Sequence, residues 1–94
     1  MLKFIVITND QMSIQYCSEA DFESFLEDTV GVNFGCRQLN EGVIIEDNVF
    51  EELNPIATKY FGKNFYGTVV FVNKLDDKYF SLTDRQLEVL YENY

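Results

Sequence analysis

From Leu2 to Thr8 apolar and mostly β-branched or aromatic side chains follow one another, and Asn9-Asp10 then interrupts them before a shorter alternating stretch, Met12-Ser13-Ile14-Gln15-Tyr16. Such residues favour extended chain and Asn-Asp favours a turn, so the pattern predicts an N-terminal β-hairpin. Ser18 is placed to cap the next segment, with Asp21 at the third helical position. Phe22, Phe25, Leu26 and Thr29 or Val30 then fall on one face of a helix that ends before Gly31. Its other face carries Glu19, Glu23, Glu27 and Asp28.

Val32 to Leu39 alternates in period two over most of its length, and Asn40-Glu41-Gly42 separates it from the apolar run Val43-Ile44-Ile45, which predicts a second hairpin. Asp47 or Asn48 can cap a short helical turn over Val49–Leu53. Asn54-Pro55 is a stronger signal, because Asn caps well, Pro suits the first helical position and Gly62 waits just past Phe61 to end the helix. Tyr66 to Val72 is an apolar run without alternation, the signature of a strand buried on both faces at the centre of a sheet. Asn73 to Asp77 reads as a polar connection and Lys78-Tyr79-Phe80 as a short returning strand. Thr83 with Gln86 forms a capping box ahead of Leu87 and Leu90 on one face of a C-terminal helix. The order β-β-α-β-β-α-β-β-α predicts α+β: a single small domain, residues 1–94, with a mainly antiparallel sheet and two or three helices packed on it.

Composition narrows this picture. A chain of 94 residues with 47% apolar residues, nine Phe and six Tyr has bulk for one core and not for two. No apolar run approaches the roughly 20 residues of a membrane helix, and the start lacks the pattern of a secretion signal, so a soluble protein is expected. Two cysteines, Cys17 and Cys36, are too few for a small secreted disulfide scaffold, which points to the cytosol. Both are expected to be buried as small apolar residues. Sixteen Asp and Glu against seven Lys and Arg give a formal net charge of −9, which disfavours direct contact with nucleic acid or anionic membranes.

Chemistry is poorly represented. Histidine is absent, which removes the commonest general base, the Ser-His and Cys-His pairs and the usual metal ligand. The cysteines are too far apart for a Cys-x-x-Cys motif and too few for a structural zinc site. Glu27-Asp28, Glu46-Asp47, Glu51-Glu52 and Asp76-Asp77 are read as solvated surface, no calcium loop surrounds Asp76, and the glycines form no phosphate-binding pattern. Neither enzymatic activity nor a cofactor or metal is therefore expected. Tyr60, Tyr66, Tyr79, Tyr91 and Tyr94 concentrate in the second half, and tyrosine is enriched at protein interfaces.

Gly67-Thr68-Val69-Val70-Phe71-Val72 followed by Phe80-Ser81-Leu82-Thr83-Asp84 and Gln86 resembles a family of short phage and mobile-element proteins that carry a domain of unknown function. Asn40-Glu41-Gly42 before a strand and Asn54 ahead of a short helix are similar to that family's middle. The stretch Val49 to Phe61 is not matched residue by residue. The resemblance implies an accessory protein of bacterial or phage cytoplasm and brings no catalytic residues with it.

Charge and resemblance together favour protein binding. The candidate acidic surface is Glu19, Glu23, Glu27 and Asp28. Its partner would be basic, such as a nucleic-acid-binding host defence or regulatory protein, with nucleic-acid mimicry as the form considered. The alternative is a structural or assembly protein that forms a homodimer, or docks, through a free sheet edge and exposed tyrosines.

Overall fold

In the computed structural model, which describes residues 1–39, 42–47 and 52–92, the opening apolar run forms β1 (Leu2–Ile7) and returns through Asn9-Asp10 as β2 (Met12–Cys17). Thr8 fixes the turn. Its N–H donates to the Gln11 carbonyl at 2.9 Å, and its Oγ1 accepts from the N–H groups of Asp10 and Gln11 at 3.2 and 3.0 Å. A 3₁₀ turn (Glu19–Asp21) leads into α1 (Phe22–Thr29), and a second hairpin follows as β3 (Phe34–Leu39) and β4 (Gly42–Asp47). The chain continues through α2 (Pro55–Phe61), the hairpin β5 (Val69–Leu75) and β6 (Lys78–Phe80), and α3 (Asp84–Glu92).

The strands form one sheet in the order β2-β1-β5-β4-β3, with β6 pairing the far end of β5. Every pairing is antiparallel. This is the α+β domain that the hydrophobic pattern predicts. β5 lies between β1 and β4, and Val69, Val70, Phe71 and Val72 are all buried, which is why that run shows no alternation. The strand begins at Val69 and not at Tyr66, because Gly67 turns away to donate its N–H to the Glu52 carbonyl at 2.8 Å. It also runs on to Leu75, so the polar connection shrinks to Asp76-Asp77, with Asp76 at φ 55°. Asn73, Lys74 and Leu75 pair with Phe80, Tyr79 and Lys78 at the end of the sheet, where polar side chains reach water.

Side-chain alternation divides the core into two layers. Leu2, Phe4, Val6, Val43, Ile45, Val70 and Val72 meet Phe22, Leu26 and Val30 of the α1 segment on one face. Ile5, Ile7, Ile44, Val69 and Phe71 meet Ala57, Phe65, Leu82 and Leu90 on the other, beneath α2 and α3. Both helices of this second layer have the caps that their sequences carry. Asn54 Oδ1 accepts from Ala57 N–H at 3.0 Å, and Gly62 closes α2 at φ 69°. Thr83 and Gln86 exchange bonds, with Thr83 N–H to Gln86 Oε1 at 2.8 Å and Gln86 N–H to Thr83 Oγ1 at 3.2 Å.

Two further expectations change, and a third falls mainly on residues that the structure does not describe. The short helical turn over Val49–Leu53 lies mostly outside the described residues, and Leu53 itself forms a β-bridge with Tyr66. The cysteines are not both buried: Cys17 is half-buried and Cys36 is exposed, because the edge strands that carry them are covered only in part. They sit on β2 and β3, at opposite edges of the sheet, and both are free. The pair Glu46-Asp47 is not solvated surface throughout. Glu46 is largely buried and accepts two bonds from Arg37, from Nε at 2.9 Å and Nη2 at 3.0 Å.

Candidate acidic interaction surface

The placement of α1 follows from three aromatic rings. Phe22 and Phe25 face Phe4 of β1 at centroid distances of 4.9 and 5.1 Å, and Phe22 meets Tyr79 of β6 edge-on at 4.9 Å. Ser18 starts the segment, with its Oγ accepting from Asp21 N–H at 3.2 Å and donating to Asp21 Oδ2 at 2.9 Å. With Phe22, Phe25 and Leu26 held against the sheet, Glu23, Ser24, Glu27 and Asp28 of the helix point to water. Glu19, Glu23, Glu27 and Asp28 are all exposed.

Helix geometry decides how these four relate. Glu23 and Glu27 are four residues apart and lie on the same flank, about 6 Å from one another along the helix. Glu19 precedes them in the 3₁₀ turn and lines the same groove as Glu23. Asp28 lies about 100° around the axis from Glu27. The sequence-derived set is thus a row of three with Asp28 offset to its side. None of the four forms an ion pair among the described residues. From Phe4 to Cys36 the chain has no basic residue at all.

Beside the row lies a groove of about 250 Å³, to which Leu2, Ala20 and Tyr79 contribute apolar surface and Glu19, Glu23, Asp77 and Lys78 contribute charge. Asp77 was not legible as part of this surface. It reaches the groove because the β5–β6 turn folds back beside the 3₁₀ turn, a long-range contact that local pattern does not encode. Tyr79 is held neutral here: burial, then Cys36, then the Glu23 carboxylate push its phenol above the usual range. Its Oη lies 3.9 Å from Cys36 Sγ, and Lys74 Nζ lies 3.7 Å from the same sulfur. Comparison with protein-family models, curated proteins and solved structures finds no match to this chain. The acidic surface is therefore read from its own geometry.

The other candidates disperse. Tyr79 packs on the α1 side of the sheet and Tyr60 on the opposite side, Tyr66 is half-buried beside Leu53, Tyr91 is exposed, and Tyr94 lies outside the described residues. The most exposed described tyrosine is Tyr16 on β2, at 61%. The sequence carries no signal for this exposure, because the alternation of that strand places Tyr16 on the same face as buried Met12. Among the described residues no three His, Cys, Asp or Glu side chains gather as metal ligands. Among the same residues no helix is long and apolar enough to cross a membrane.

Proposed function

We propose that this chain is a small acidic binding domain whose α1 surface docks on a basic protein, imitating the phosphate row of a nucleic acid. The observation that carries this reading is the end of α1 that Glu27 and Asp28 occupy. Both sit in the last turn, where no basic residue is present and where the partial negative charge of the helix dipole disfavours carboxylates. Helix stability gives no reason for them; a cationic partner does. Glu19 and Glu23 extend the same negative surface toward the groove and Asp77. Resemblance to phage and mobile-element accessory proteins supports a partner among host defence or regulatory proteins that bind nucleic acid, encountered in the cytoplasm of a bacterial host. The action in this reading is occupation of a site, without catalysis, a cofactor, membrane contact or nucleic acid bound by the chain itself.

The test is affinity purification from the host at low and high salt, repeated with Glu23→Lys, Glu27→Lys and Asp28→Lys combined. The reading requires a basic partner that is lost as salt rises, is lost with the triple reversal and is displaced by duplex DNA. Partners that are indifferent to salt and to the reversal would end it.

A further inference from the structure

Among the described residues β2 ends the sheet on one side and β3 ends it on the other. The two edges differ in chemistry. β3 carries Arg37, tied to Glu46 on the neighbouring strand. β2 has none of the usual protections of an edge strand: from Gln11 to Ser18 there is no Lys, Arg, Asp, Glu or Pro. In a chain of net charge −9, this is a stretch where a second copy would meet no like charge.

The register identifies which backbone groups are unpaired. Thr8 N–H bonds the Gln11 carbonyl, so Thr8 and Gln11 are a hydrogen-bonded pair, and the antiparallel ladder alternates from there. Ser13, Gln15 and Cys17 therefore direct their N–H and C=O groups at β1, and Met12, Ile14 and Tyr16 direct theirs outward. The far side of β1 agrees, since Lys3, the partner of Tyr16, gives its carbonyl to Leu82 N–H at 2.8 Å and not to β2. The same residues carry the apolar side chains of the edge, Ile14 at 38% and Tyr16 at 61% exposure beside buried Met12.

We infer that β2 is a homodimer edge, pairing antiparallel with β2 of a second copy about a two-fold axis at Ile14. The outward groups are self-complementary in that register. Ile14 pairs with its own mate, Met12 with Tyr16 of the other copy and Tyr16 with Met12, giving about six backbone hydrogen bonds. Each exposed Tyr16 ring then lies over an apolar neighbour. Ser13 faces Gln15 across the axis on the opposite face of the sheet. An antiparallel extension of one sheet sets the two-fold axis perpendicular to it, so the two α1 helices fall on the same side. The dimer thus presents both acidic rows in one direction and leaves them uncovered. This inference does not depend on the function proposed for them.

Sedimentation equilibrium of the full chain tests it, with wild type, Ile14→Lys and, on the other edge, Gln38→Lys. Wild type should have twice the 11.0 kDa mass of one chain, and added salt should tighten it by screening the repulsion between two anionic copies. That is the opposite sign to the effect expected for a basic partner, so the two proposals fail separately. Ile14→Lys places like charges side by side at the axis and should weaken the dimer at least about tenfold. Its side chain is exposed in the monomer, and circular dichroism should show the fold intact. Gln38→Lys should leave the mass unchanged. A wild-type monomer at millimolar concentration, or a dimer that survives Ile14→Lys and is lost with Gln38→Lys, would overturn the inference.

Discussion

Asn54 is a fully buried polar side chain whose oxygen and both N–H groups are hydrogen-bonded. Besides capping α2 through Oδ1, its Nδ2 donates to the carbonyls of Ile7 at 3.0 Å and Gly67 at 2.8 Å. It joins β1, the start of α2 and the loop before β5 in one point. Asn54→Ala removes all three bonds, taking a buried partner from the Ile7 and Gly67 carbonyls and from the Ala57 N–H, so urea unfolding should show a loss of about 3 kcal/mol. Asn54→Asp should be worse and should worsen as pH rises from about 4, since a carboxylate would face those same carbonyls. The sequence displays Asn54 only as a cap; its two long-range bonds come from packing. Tyr79 gives a second test at this scale. Its phenol is raised in the folded state by burial, Cys36 and Glu23. The neutral form is thus favoured by folding, so its contribution is intact below about pH 10 and is lost as pH rises beyond that. Tyr79→Phe should flatten the alkaline decline in stability relative to wild type, measured by urea titrations from pH 9 to about 11.5. Equal declines in the two proteins would show that Tyr79 does not titrate as described.

At the scale of elements, helix stability and the proposed function make opposite demands on α1. Its N-terminal carboxylates, Glu19, Asp21 and Glu23, lie where the helix dipole welcomes them, and Glu27 and Asp28 lie where it does not. Replacing Glu27 and Asp28 by Lys should therefore stabilise the fold by roughly a few tenths of a kcal/mol for each residue, seen as a small rise in melting temperature, while abolishing capture of the proposed basic partner. A fall in both would mean that these carboxylates support the fold. α2 shows how much a short helix owes to its ends. Gly62 has a left-handed φ of 69°, and a Cβ there meets nothing within 4 Å. Gly62→Ala should then cost about 1 kcal/mol, the backbone term alone, with no steric addition. Caps of this kind are legible because they act within three or four residues, as Ser18, Asn54 and Thr83 with Gln86 all do. The extent of β5 was less legible, since Asn73 and Lys74 look like loop residues until β6 pairs with them.

For the whole molecule, charge and sheet edges should give salt effects of opposite sign, with binding of a basic partner weakening and self-association tightening as screening increases. Titrating salt against both readouts on one preparation checks this directly. The dimer would also let the acidic rows act as a bivalent surface, so Ile14→Lys should reduce affinity for an extended basic partner without touching a carboxylate that contacts it. By itself the sequence determined the order of elements, the helix caps, the burial of β5 on both faces and the acidity of the outer face of α1. Each of these is set by neighbours within a few residues or by side-chain period. Only the tertiary structure decided that helices cover both faces of the sheet, that Cys17 and Cys36 lie on opposite edges, that Asp77 joins Glu19 and Glu23 at one groove, and that β2 ends the sheet with Ile14 and Tyr16 exposed. Those features depend on which strands become neighbours, and strand order is set by contacts between segments distant in the chain, which no local pattern records.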